Sequence, residues 1–290
     1  MMRGASNWAV AVRKPDGDIA HISKPIVSPM TRHWVLRLPV IRGVVALGES
    51  LAIGFRALAI SANYAAQEEG DEEVQTELSR GQLIFAFAIA IGFAVLLFKV
   101  GPALLTDWIG IQARWFVIVE GLIRVTVFVL YLALISLLPD LRRVFQYHAA
   151  EHKAINAYEA GEELRPDIVQ RFSQIHPRCG TAFLLWVMVI AVFVFALVGR
   201  PAWPILIASR VLLLPVIAGL AYELIRFGAR HPNNPIVRKL LAPGLWLQSL
   251  TTREPTLDQI EVSINALRDV LAAEERSQAE RGVSRVEVMA

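Results

Sequence analysis

His148, Glu151 and His152 fall in the stretch YHAAEHKAINAYEAG, residues 147–161. On a helix, positions i and i+4 lie one above the other, so both imidazoles project from one face with Glu151 beside them. Val144, Ile155 and Tyr158 share that face. His-x-x-Glu-His is the inverted zincin arrangement, in which two histidines hold zinc and the glutamate handles the proton of a water. His148 and His152 are therefore the expected ligands and Glu151 the expected general base. A second stretch, IHPRCGTAF at 175–183, adds His176 and Cys179. Imidazole together with thiolate suits a divalent transition metal, zinc above all. Glu159 and Glu223 could add a carboxylate. A plainer reading stands beside this one: histidines near headgroups snorkel or cap, a single cysteine is often a small buried hydrophobe, and Glu151 could simply pair with a basic neighbour.

The elements that must position these groups belong to a membrane protein. Of 290 residues, 55% are hydrophobic and 19% charged, and the mean hydropathy is +0.47, too apolar for an ordinary soluble domain. The net charge of +3 is small and the basic residues are scattered among apolar segments, so no nucleic-acid partner is expected. Membrane lipid and a second copy of the chain are the expected partners. One cysteine cannot form an intrachain disulfide, which fits a reduced compartment. The first residues lack the pattern of a cleaved signal peptide, so insertion would rest on internal spans.

Residues 5–28 alternate apolar and polar around Pro15-Asp16-Gly17, which predicts a small β-hairpin within a cytoplasmic region 1–36. Residues 37–66 are long enough to span a bilayer but carry Arg42, Glu49, Arg56 and Asn63, each seven residues after the last. That spacing drifts only about 20° per step on a helix, so these four form a polar seam, and the segment is expected to be interfacial or re-entrant. An acidic linker follows at 67–82. Apolar runs at 83–100, ending at Gly101-Pro102, and at 115–139 predict two transmembrane helices within 83–139. Glu120 and Arg124 sit four apart there, in the orientation that supports an ion pair. Two more spans, at 181–198 and about 203–225, fill 181–226 and are joined by GRPAWP; Arg210 lies within the fourth.

Lys and Arg crowd the N-terminal region, the 140–180 loop that carries the metal motif, and the stretch after 225. Both termini and that loop are thus expected on the cytoplasmic side of a bacterial inner membrane. Asp140 can cap and Gly161 can stop the motif's helix. In the C-terminal segment 227–274, Thr256 and Gln259 have capping-box spacing, and Ile260, Ile264, Leu267 and Leu271 make the apolar stripe of one amphipathic helix. Residues 275–290 read as a disordered tail. The fold class is an all-α polytopic membrane protein with about four transmembrane helices, amphipathic or interfacial helices and a small N-terminal hairpin.

MMRG, YHAAEHKAINAYEAG, HPRCGTAFL, LLLPVIAGLAYELIR and PGLWLQSLTTREP, in this order, resemble the YqhQ family of bacterial membrane proteins over nearly the whole chain. Similar proteins carry a Gly-rich stretch ahead of the block ending in MMRG, and this chain starts inside that block. The family is of unknown function and is described as predicted metal-dependent enzymes, so the resemblance implies an inner-membrane location and a metal. The positions that match are His148, Glu151, His152, Glu159, His176, Cys179 and Glu223. The functional expectation is a metal-dependent, hydrolytic enzyme at the cytoplasmic face. The alternative is an oligomeric ion channel or transporter, with Glu120, Arg124, Arg210 and the Arg42, Glu49, Arg56 seam lining a polar path.

Overall fold

The computed structural model describes residues 1–14, 16–66, 80–199, 202–231 and 234–281. Three antiparallel strands open the chain, β1 (Met2–Arg3), β2 (Asn7–Arg13) and β3 (Ile19–Pro25), in the order β1-β2-β3. The predicted hairpin is the β2–β3 pair, with Val10 opposite Ile22, and Gly17 N donates to Lys14 O in the connecting turn. Successive strand residues point to opposite faces, and here both faces are covered. Ala9 and Ala11 join one apolar cluster, while Trp8 and Val10 join another.

The first of those covers is α1 (Ile41–Ala66), an unbroken helix whose Ile53 and Ala57 pack on Trp8 and Val10. On its other side Leu51, Phe55 and Leu58 are exposed. The second cover is α5 (Pro139–Glu159), the short α6 (Pro166–Val169) and α10 (Leu257–Arg281). There Ala154, Ile155, Val169, Ile260, Leu267 and Val270 are fully buried. The expected stripe on α10 is the buried one, and its capping box forms: Gln259 N donates to Thr256 Oγ1 and Thr256 N to Gln259 Oε1. Glu274, near the end of α10, accepts from Ser6 N and Asn7 N at 2.6 and 2.8 Å and ties the first strands to the last helix.

Among the described residues, five helical segments are long and apolar enough to cross a membrane: Ile41–Tyr64, Ala88–Trp108, Trp115–Ile135, Gly180–Val198 and Ala208–Arg230. Four match the expected spans; α1 is the fifth. The helices are α2 (Arg80–Val95), α3 (Gly101–Trp108), α4 (Ala113–Ile135), α7 (Gly180–Val198) and α8 (Trp203–Arg230), with α9 (Pro235–Gln248) packed beside them. The centre of this layer is α7. Its Ala191 and Phe195 pack on Val117 and Ile217, its Trp186 on Ala221 and Leu241, and its Leu185 on Leu132 and Leu247.

Three expectations need correction. Gly101-Pro102 does not end the first span: a π-helical turn at Leu96–Val100 leads straight into α3. A proline's ring collides with the carbonyl four residues back and its nitrogen cannot donate, and a π turn loosens the ladder where that conflict falls. Asp140 lies in the first turn of α5, after a cap at Leu138, because Pro139 occupies the first helical positions. Finally, α10 runs to Arg281, into the segment read as a tail. The residues 282–290, and 67–79 of the acidic linker, lie outside those described.

α1 and α8 run side by side in the same direction. A Cβ on Gly219 would lie 2.4 Å from Val40 O, and one on Gly43 would lie 2.7 Å from the Tyr222 Cβ, so only glycine permits this approach. The polar seam of α1 joins both neighbours: Arg42 pairs with Glu223 of α8, and Glu49 accepts from Arg3 and Ser28 near the sheet. Arg56 and Asn63, farther along the seam, are exposed.

Candidate metal centre

α5 carries both histidines of the motif and is stopped by Gly161, whose φ of 77° a residue with a Cβ adopts only at a cost. His148 and His152 lie one turn apart and meet edge to face, with ring centroids 4.4 Å from each other. Cys179 arrives from the other side as the N-cap of α7, its sulfur accepting from Thr181 N at 3.4 Å. One ligand atom from each of His148, His152 and Cys179 lies within 4.8 Å of the others. All three are largely or fully buried, His152 at 1% and Cys179 at 2% exposure.

The orientation of both rings is fixed by backbone carbonyls. His148 Nδ1 lies 2.9 Å from Thr251 O, and His152 Nδ1 lies 2.6 Å from Gln174 O. A carbonyl only accepts, so each Nδ1 carries the hydrogen, and whenever a ring is neutral its lone pair is on Nε2. This is how histidines that bind metals are usually held. His148 Nε2 stands 3.3 Å from Cys179 Sγ. His152 Nε2 is buried with no hydrogen-bond partner, a cost of roughly 1–3 kcal/mol for a group that nothing satisfies.

Charge follows the same geometry. Burial pushes the Cys179 thiol up, but the His148 hydrogen bond and the nearness of the His148 and His152 rings outweigh it and bring it down to about 5. Burial pushes His148 down, and the Cys179 hydrogen bond and charge, with help from the Thr251 carbonyl and Glu151, outweigh that and raise it to about 9. Without metal, the two form a thiolate–imidazolium pair. With metal, the same atoms supply two nitrogens and one sulfur, the donor set of a zinc site that keeps one position open.

Residues 38–273 match a family model described as protein of unknown function, DUF1385. The chain belongs to this family. It is 32% identical to the uncharacterized protein YqhQ of Bacillus subtilis (strain 168), over 96% of this chain and 91% of that one. No solved structure matches it.

The other positions expected at the site of this DUF1385 member go elsewhere. His176 is buried but stands beside the cluster, its ring centroid 6.0 Å from that of His152. Burial, then the neighbouring His152, lowers it to about 4, so it is neutral. Its backbone is clamped by the Gln248 side chain, which accepts from His176 N at 3.0 Å and donates to His176 O at 2.9 Å. Glu159 pairs with Arg178 and lies 3.4 Å from His176 Nε2, fastening α5 to the entry of α7. Glu223 serves the α1–α8 contact instead. Glu151 lies outside the three-residue cluster and pairs with the Met1 α-amino group, though its charge still reaches His148. Thr251, Gln174 and Gln248 were not foreseen; two act through backbone carbonyls, which leave no mark in a side-chain pattern.

Within the spans, Glu120, Arg124 and Arg210 do converge. Glu120 is buried and pairs with Arg124, and it lies 3.9 Å from Arg210. Arg124 also donates to Phe98 O at 2.9 Å, where the π turn frees carbonyls, and Arg210 stacks 3.9 Å above the Phe195 ring.

Proposed function

We propose that this protein is a metal-dependent hydrolytic enzyme of the bacterial inner membrane, acting at the cytoplasmic face. The observation that carries the reading is the convergence of His148, His152 and Cys179, with His152 Nε2 buried and unpartnered. These three would hold a divalent transition metal, zinc by donor set, which would supply a Lewis acid. Glu151, one residue from His152, would take the proton of the attacking water. The cytoplasmic side is supported for this centre, the sheet and both termini by the basic residues of the 140–180 segment, since Lys and Arg favour that side. α1 then starts alongside the last turns of α8 and continues to the sheet, with Leu51, Phe55 and Leu58 on its opposite side toward lipid.

The test is elemental analysis of tag-free protein purified in detergent, beside a variant carrying His148→Ala and His152→Ala. Near-stoichiometric zinc, iron or manganese that is lost in the variant is expected; no metal in either sample after equilibration with those ions would end this reading. A second reading, an oligomeric channel or transporter, is favoured by the charges gathered at Glu120, Arg124 and Arg210. Ion flux in liposomes that is abolished by Arg124→Gln but indifferent to His152→Ala would establish it.

A further inference from the structure

Beside the metal centre is a cavity of about 360 Å³, walled by α1, the start of α7 and the end of α8. Cys179 lines it, so the cavity and the proposed centre share a wall. Its volume is that of a small-ligand site. Its polar lining is strongly one-signed: Arg178, Arg226 and Arg230 contribute, and among the described residues no carboxylate does. Arg178 is engaged by Glu159. Arg226 and Arg230, one helical turn apart on α8, have no ion-pair partner among the described residues. Gly180, the first residue of α7, also lines the cavity and adds the positive end of that helix. Leu47, Phe183 and Ile225 make the rest of the wall apolar.

Two unpaired guanidiniums, a helix start and an apolar wall together select an anion attached to something greasy. Guanidinium forks match phosphate oxygens in pairs, and a phosphoryl group is the anion that best uses two of them. Depth agrees: Arg230 ends the apolar stretch Ala208–Arg230, which puts both arginines where a span meets headgroups. We propose that this cavity binds the phosphoryl group of a phosphate-bearing ligand, which a membrane phospholipid would present with its acyl chains along α1 and α8. The proposal deepens the enzymatic reading by naming its substrate class, and it rests on that reading for catalysis but not for binding.

Detergent-purified full-length protein would be titrated by calorimetry with short-chain phosphatidylglycerol, with the matching phosphate-free diacylglycerol and with inorganic phosphate. Phosphatidylglycerol is expected to bind at least about tenfold more tightly than diacylglycerol, the worth of roughly one charge-assisted contact. That preference should vanish when Arg226→Gln and Arg230→Gln are combined. Ala229→Trp, which fills the cavity and keeps both arginines, should also weaken binding and guards against a variant that misfolds. Inorganic phosphate binding with the same arginine dependence, and no added gain from acyl chains, would support the site and assign it a free phosphate ligand. Equal binding of the two lipids, or binding untouched in both variants, would overturn the proposal. Metal content measured on the same samples separates the two ideas: arginine-dependent binding without metal refutes only the enzymatic reading, and metal without such binding refutes only the cavity.

Discussion

Cys179 and His148 face each other at 3.3 Å, and each moves the other's titration. The thiol's folded value is depressed, so the stability it contributes is present above the ordinary thiol range and is lost as pH falls through about 5. The imidazole's folded value is raised, so its contribution is present below the ordinary histidine range and is lost as pH rises through about 9. The ion pair is therefore intact between those limits. With one cysteine in the chain, thiolate ultraviolet absorbance of the metal-free protein reads this directly. Its midpoint should lie near about 5 and rise toward the ordinary thiol range in the variant with His148→Ala and His152→Ala. A midpoint already in the ordinary range in wild type would mean the pair does not form. Cys179→Ser should in turn weaken zinc affinity by at least about tenfold, measured by competition with a chelating dye. Sequence spacing sufficed for His148 and His152, because i and i+4 on a helix leave little choice. It could not separate His176 from Cys179, since which of two nearby ligands turns inward depends on Gln248, more than 70 residues away.

Among the elements, the contact of α1 with α8 has the least slack. Gly219→Ala would place a methyl group 2.4 Å from Val40 O, which cannot move without shifting the start of α1. A loss of about 1–3 kcal/mol is expected, read as a lower melting temperature in detergent, and an unchanged transition would show that α1 is not seated there. Helices with clear periodicity were legible in the sequence, among them α10 with its stripe and capping box. Others were not. The run through Gly101-Pro102 continues because a π turn absorbs the proline, and α9 carries Pro243 inside it, so residue-type punctuation misleads at both places. The polar seam was read correctly as a feature and incompletely as a partner list. Spacing on one helix does not say that Arg42 meets Glu223 or that Glu49 meets Arg3.

At the scale of the whole molecule, an apolar layer of helices joins a sheet-and-helix unit through α5 and α7, and the proposed centre sits at the joint. Removing residues 256–290 takes away Ile260, Leu267 and Val270, all fully buried, together with Glu274. Loss of several such side chains exceeds the stability of a small unit, so the truncated protein should insert its spans while the strands become sensitive to protease. Protection of residues 1–25 in that truncation would show that the sheet stands without α10.

Glu274 has a consequence for the order of events during synthesis. The carboxylate that anchors Ser6 and Asn7 is made 268 and 267 residues after them, so docking of the first strands on α10 must wait for almost the entire chain to leave the ribosome. Contacts that distant in sequence form late. The spans are therefore committed to the bilayer before the sheet docks on α10, and α5 gains its full packing only after that docking. A chain stalled before α10 would hold its histidines on an unfinished scaffold, so the proposed centre would be among the last parts of the protein to assemble.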